Sequence, residues 1–234
     1  MNEHGHIVRS YDEEQAALMR ELLRMGEMAV AQLEAALDVV ERRDDKAAER
    51  VMANDDAIDA LEQQVNQDVI RLIRRGPMAT DLRIILAALR VASDIERIGD
   101  YAANIAKRSM ALNHSPPLPH TRGLETLGKL AARQMREVMR AYVERDGNAA
   151  LRVRESDAEL DTLYTGLFRE LLTYMMEDAR AITACTHLLF MAKNIERIGD
   201  HATNIAENTW FLVHGELPEG DREKGDLTSQ VGSA

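Results

Sequence analysis

The chain has 234 residues, long enough for one large domain or two small ones, and its 45% apolar content can build a core. Its 29 Lys and Arg stand against 40 Asp and Glu, a net charge of −11. That balance argues against a nucleic-acid binder, which needs a basic face. A single cysteine, Cys185, excludes an internal disulfide framework and a Cys-rich zinc site. It lies in an apolar stretch and reads as a buried, inert thiol.

Taken in chain order, the pattern is helical throughout. Ala, Leu, Glu, Arg and Met dominate, and no stretch alternates with a period of two, so the expected class is all-α. Helices are expected over about 10–42, 45–75, 78–113, 121–145, 148–176 and 179–213. The breaks between them are Arg43-Asp44-Asp45, Gly76-Pro77, the proline-rich Asn113–His120, Asp146-Gly147-Asn148 and Glu177-Asp178. This divides the chain into a first three-helix bundle (1–113), a linker (114–120), a second three-helix bundle (121–214) and a polar, Gly-rich tail (215–234) expected to be disordered. The longest apolar run, Ile84–Leu89, stops at Arg90, far short of the roughly 20 residues a membrane span needs. The N-terminal MNEHGHIVRSYDEE lacks the apolar segment of a signal peptide. The expected compartment is the cytoplasm, with a membrane reached only through partners.

The two halves repeat each other. VASDIERIGDYAANIA at 91–106 matches MAKNIERIGDHATNIA at 191–206, an offset of 100 residues. Further upstream the offset is 102: Asp55, Ile58, Asp59 and Leu61 match Asp157, Leu160, Asp161 and Leu163. The third helix of each half carries a narrow apolar seam. In the first it is Ile84, Ala88, Val91, Ile95, Ile98, Ala102 and Ile105; in the second, Ala184, Leu188, Met191, Ile195, Ile198, Ala202 and Ile205. Steps of three and four mark the core stripe of a long bundle helix.

Beside each seam runs a polar stripe, Glu96, Asp100 and Asn104 in the first half and Glu196, Asp200 and Asn204 in the second. Residues four apart share a helix face, where like charges repel by roughly a few tenths of a kcal/mol. The preceding helix carries Asp55-x-x-x-Asp59, or Asp157-x-x-x-Asp161. In an antiparallel hairpin Asp59 mirrors Glu96 and Asp55 mirrors Asp100 about a centre inside the Gly76-Pro77 turn. Asp161 with Glu196 and Asp157 with Asp200 do so about the Glu177-Asp178 break. Four carboxylates per half can therefore meet. Such oxygen-rich clusters suit hard cations such as Mg²⁺, Mn²⁺ or iron. A single acidic helix face is usually just solvated; four matched pairs in two repeats favour a metal site. The Glu-x-x-His of di-iron bundles is absent, since Gly99 and Gly199 follow the glutamates. His201 has Tyr101 as its counterpart, so no histidine ligand is shared. The mid-helix glycines serve either close packing or room for a cation or a partner group. Arg97 and Arg197 read first as ion-paired surface groups.

The repeated IERIGD-x-A-x-NIA, with Asp-x-x-x-Asp on the helix before it, resembles the PhoU family over about residues 10–213. The resemblance implies two similar three-helix bundles, with metal ions held at Asp55, Asp59, Glu96 and Asp100, and at Asp157, Asp161, Glu196 and Asp200. The metal could be Mg, Mn, Fe or Zn. It further implies a non-enzymatic negative regulator of phosphate uptake and phosphate-starvation signalling. Such a protein links the ATPase of the phosphate ABC transporter to a sensor histidine kinase, and it commonly dimerises. Asn104, Asn204 and the arginines are candidate surface contacts. The competing expectation is a carboxylate-bridged metalloenzyme, an oxidase or a phosphate-ester hydrolase. Against it, the chain offers no evident base beside the cluster and no Gly-rich phosphate loop.

Overall fold

The computed structural model describes residues 3–118 and 121–220. Six α-helices account for nearly all of them: α1 (Glu3–Arg42), α2 (Asp45–Arg74), α3 (Ala79–Asn113), α4 (Thr121–Glu144), α5 (Gly147–Glu177) and α6 (Ile182–His214). A 3₁₀ turn, Ala179–Ala181, precedes α6. The expected all-α class and six-helix count hold. The helix α1 starts seven residues earlier than expected. No proline interrupts that segment, and extending an existing helix adds one hydrogen bond per residue fixed. The expected tail disorder concerns mainly residues 221–234, which lie outside the described residues, as do Pro119 and His120 of the linker.

The breaks have local chemical causes. Arg43 (φ 57°) and Arg145 (φ 53°) end α1 and α4 in the left-handed region. The next residue, Asp44 or Asp146, caps the following helix, its carboxylate accepting from the amide of Ala47 at 3.0 Å or Ala149 at 2.9 Å. The turn expected at 146–148 is therefore tighter, and Gly147 already opens α5. Gly76 (φ 73°) turns the chain between α2 and α3. Asp178 closes α5 and accepts from the amide of Arg180, so α6 is re-entered through the 3₁₀ turn.

Both expected seams are core. Val91, Ile95, Ile98, Ala102 and Ile105 are fully buried, as are Met191, Ile195, Ile198, Ala202 and Ile205, and Cys185 with them. Each half is a three-helix bundle, and the halves pack through α3 against α6 and α1 against α4. Contacts across α3 and α6 fall on mirror positions. The Arg90 side chain reaches the Asn208 amide oxygen, Asn204 donates to Asp94, and the Arg108 guanidinium lies 4.2 Å from the Phe190 ring centre. The two helices are therefore antiparallel, with their IERIGD runs side by side. The same holds for α1 and α4, where Gly26 faces Met139 and Gly128 faces Leu37. The molecule thus has an approximate internal two-fold axis through the α3–α6 contact.

Candidate metal centre

In the first half, α2 and α3 bring together the four carboxylates expected to meet. Burial, then the negative charges of Asp100, Asp59 and Asp56, push the Asp55 carboxyl up from its ordinary value, while a hydrogen bond from Gln32 works against the rise. Asp59 is raised by burial and by Asp100 and Asp56. Glu96 is raised by burial and by Asp100, Asp59 and Glu62, against the pull of Arg97. Asp100 thus acts on all three of the others, as the hairpin register requires. The cluster is a set of half-buried like charges, of which Asp55, Asp59 and Glu96 are held at a cost.

Gln32 on α1 builds the floor. Its amide donates to Asp55 Oδ1 at 2.8 Å and to the Gly99 carbonyl at 3.2 Å. A Cβ on Gly99 would lie 3.0 Å from Ile58 Cδ1 and 3.1 Å from Asp55 Oδ1. The mid-helix glycine therefore lets α2 approach α3 closely. On the solvent side Arg97, half exposed, lies 3.1 Å from Asp100 and 3.4 Å from Glu96.

The second half repeats the placement on α5 and α6 with deeper burial. Asp157 and Asp161 are each 1% exposed and Glu196 is 5% exposed. A Cβ on Gly199 would fall 2.8 Å from Asp157 Oδ1 and 2.6 Å from Leu160. Gln134, at the position of Gln32, donates to Ser156. Lys193 forms an ion pair of 2.8 Å with Glu196. Arg197 turns away to the ring of Tyr101. His201 binds Asp94 through Nδ1 at 2.8 Å and faces Tyr101, so it ties the halves together and is turned to α3. Asn204, exposed like Asn104, joins it on Asp94.

Spacing alone missed Gln32, Gln134, Glu62 and Lys193. The glutamines could have been found, since Gln32 and Gln134 are identical residues at the 102-residue offset. As placed, no three His, Cys, Asp or Glu side chains among the described residues are gathered onto one point. The donors are nonetheless all oxygens, as hard cations require. In the first cluster those of Asp55, Asp59 and Glu96 belong to carboxylates raised by burial and by neighbouring negative charge. The second cluster already holds an ammonium group.

A six-helix protein made of two tandem bundles, with an acidic cluster between the second and third helix of each, is the class these features define. The PhoU domain matches this chain twice, over residues 22–109 and 124–209. The chain is 66% identical over 226 residues to a phosphate-specific transport system accessory protein PhoU homolog of Xylella fastidiosa, covering 97% of this chain and 96% of that one. It is 46% identical to the protein of the same description from Rhizobium meliloti, covering 98% of each. The crystal structure of PhoU from Pseudomonas aeruginosa superposes with a TM-score of 0.85 at 33% identity, covering 88% of this chain and 100% of that one. The chain belongs to the PhoU family.

Proposed function

We propose that this protein is a non-enzymatic regulator of phosphate transport. When phosphate is ample it restrains uptake and the starvation response, by linking the ATPase of a phosphate ABC transporter to a sensor histidine kinase. The observation that carries this reading is the near full-length identity to relatives described as accessory proteins of the phosphate-specific transport system. The cytoplasm is the compartment such partners require. No helix among the described residues is long and apolar enough to cross a membrane, in keeping with a membrane reached through partners. A homodimer is the expected assembly.

The carboxylates supply the switchable element of this reading. Asp55, Asp59, Glu96 and Asp100 would hold a hard cation, with Asp157, Asp161, Glu196 and Asp200 as the second set of donors. A bound ion would cancel their repulsion and present the α2–α3 face as a less negative docking surface. Gln32 fixes Asp55 from below, and Arg97 must swing toward solvent as the ion enters. The test is genetic and direct. Deleting the gene in its host should raise phosphate uptake and turn on starvation promoters at ample phosphate. The wild type should restore control, and Asp59→Asn/Asp100→Asn should not. Unchanged uptake in the deletion strain would refute the regulatory role. Full restoration by the double variant would remove the metal from it.

A further inference from the structure

We propose that Lys193 is the resident cation of the second carboxylate cluster and closes it to divalent ions, leaving the first cluster as the one that exchanges metal. This rests on the metal reading above for the first set of donors and departs from it at the second, which the repeat alone would make an equivalent site.

The argument lies in the positions where the repeat breaks. Lys193 corresponds to Ser93, and Tyr164 corresponds to Glu62. These two exchanges fall on one spot. The Lys193 ammonium sits 2.8 Å from Glu196 and 5.1 Å from the centre of the Tyr164 ring. Tyr164 is 4% exposed, so the ring is a fixed wall on which the lysine rests. In the first cluster the same spot offers an exposed Ser93 and a further carboxylate, Glu62, which acts on Glu96. Asp56 adds another negative charge there, where the second half has Ala158. Each cluster has one paired cation, Arg97 or Lys193, but the first carries two further anions where the second has Tyr164 and Ala158.

Arg97 does not make the clusters equal. Its side chain is 55% exposed and spans two carboxylates on the solvent side, where an incoming ion can displace it into water. Lys193 is 33% exposed and pairs with a glutamate whose side chain is only 6% exposed. Removing it would take the ammonium from a carboxylate almost out of water, which is what a buried ion pair resists. An ion entering the second cluster must displace the ammonium, whereas the first cluster gains from any cation.

The test is manganese binding by the full chain. Protein stripped with chelator is dialysed against micromolar Mn²⁺, and metal per chain is read by mass spectrometry for the wild type, Asp100→Asn, Asp200→Asn, Lys193→Met and Glu62→Tyr/Ser93→Lys. Wild-type manganese should vanish with Asp100→Asn and persist with Asp200→Asn. Lys193→Met should add a second population that Asp200→Asn removes, tightening binding there by about tenfold or more. Grafting Glu62→Tyr/Ser93→Lys into the first cluster should weaken its binding by a similar factor. That graft decides the matter if Lys193→Met fails to fold, and undiminished manganese in the graft overturns the proposal. Equal affinity at both clusters of the wild type, unmoved by Lys193→Met, overturns it too and leaves the metal reading standing. No manganese in the wild type or in Lys193→Met overturns both.

Discussion

Asp59 is a carboxylate held at a cost, and that cost should be measurable in the metal-free protein. Burial and the charges of Asp100 and Asp56 raise its pKa above the ordinary 3.8. Between those two values the folded state binds more protons than the unfolded state, so the Asp59 contribution to stability improves as pH falls through the raised value and worsens as pH rises. In chelator at pH 7, Asp59→Asn should be more stable than the wild type by roughly 0.5 kcal/mol, from relief of like-charge repulsion. The advantage should shrink toward zero as the pH approaches the unfolded value. Urea titrations of both proteins across that range are the check, and a less stable variant at pH 7 would mean that the cluster is not repulsive. The carboxylates were legible in the sequence because register in a hairpin depends only on residue number. Gln32 and Lys193 were not, because their roles depend on which way long side chains turn across helices. The exchange of Ser93 for Lys193 is visible in the aligned repeats, but its meaning needs Tyr164 beneath it.

At the level of helices, the breaks show how far composition reaches. Gly76-Pro77 and the aspartates that cap α2 and α5 were readable, because glycine, proline and N-terminal aspartate each act through a local backbone rule. The left-handed arginines were not, since nothing in an arginine announces a positive φ. The two of them should respond to glycine in opposite senses. Arg145 is exposed at φ 53°, where a side chain costs roughly 1 kcal/mol, so Arg145→Gly should stabilise the protein by about that amount. Arg43 has the same strain, yet its guanidinium donates to the carbonyls of Asn113 and Ser115 and so closes the last turn of α3. Hydrogen bonds from a charged donor contribute about 1.5–3 kcal/mol each, so Arg43→Gly should be destabilising despite the relief of strain. Thermal melts of the two variants decide it; equal shifts would show that the α3 cap contributes nothing.

Across the whole molecule, the repeat established that there are two bundles, but not how they face each other. Antiparallel packing of α3 on α6 follows from side-chain contacts between residues about a hundred apart, which no periodicity within either helix encodes. The consequence is that each half relies on the other. Gly128 sits where any Cβ would collide with Leu37, and Gly26 is filled the same way by Met139. The seam helices α3 and α6 lie against one another, and Asp94 receives His201 and Asn204 from the opposite half. A half alone would expose one side of α3 and of α1 to water, at about 25 cal/mol for each Å² of apolar surface uncovered. The covalent link between the halves, by contrast, is the proline-rich stretch after α3. A protease site placed after Pro117 should therefore give two fragments that co-elute from a sizing column with the helical content and melting behaviour of a folded complex. Either fragment made by itself should aggregate or melt without a cooperative transition, and mixing the two should restore that transition. Independent, cooperative folding of the first fragment would show that the bundles are autonomous and that the α3–α6 contact only positions them.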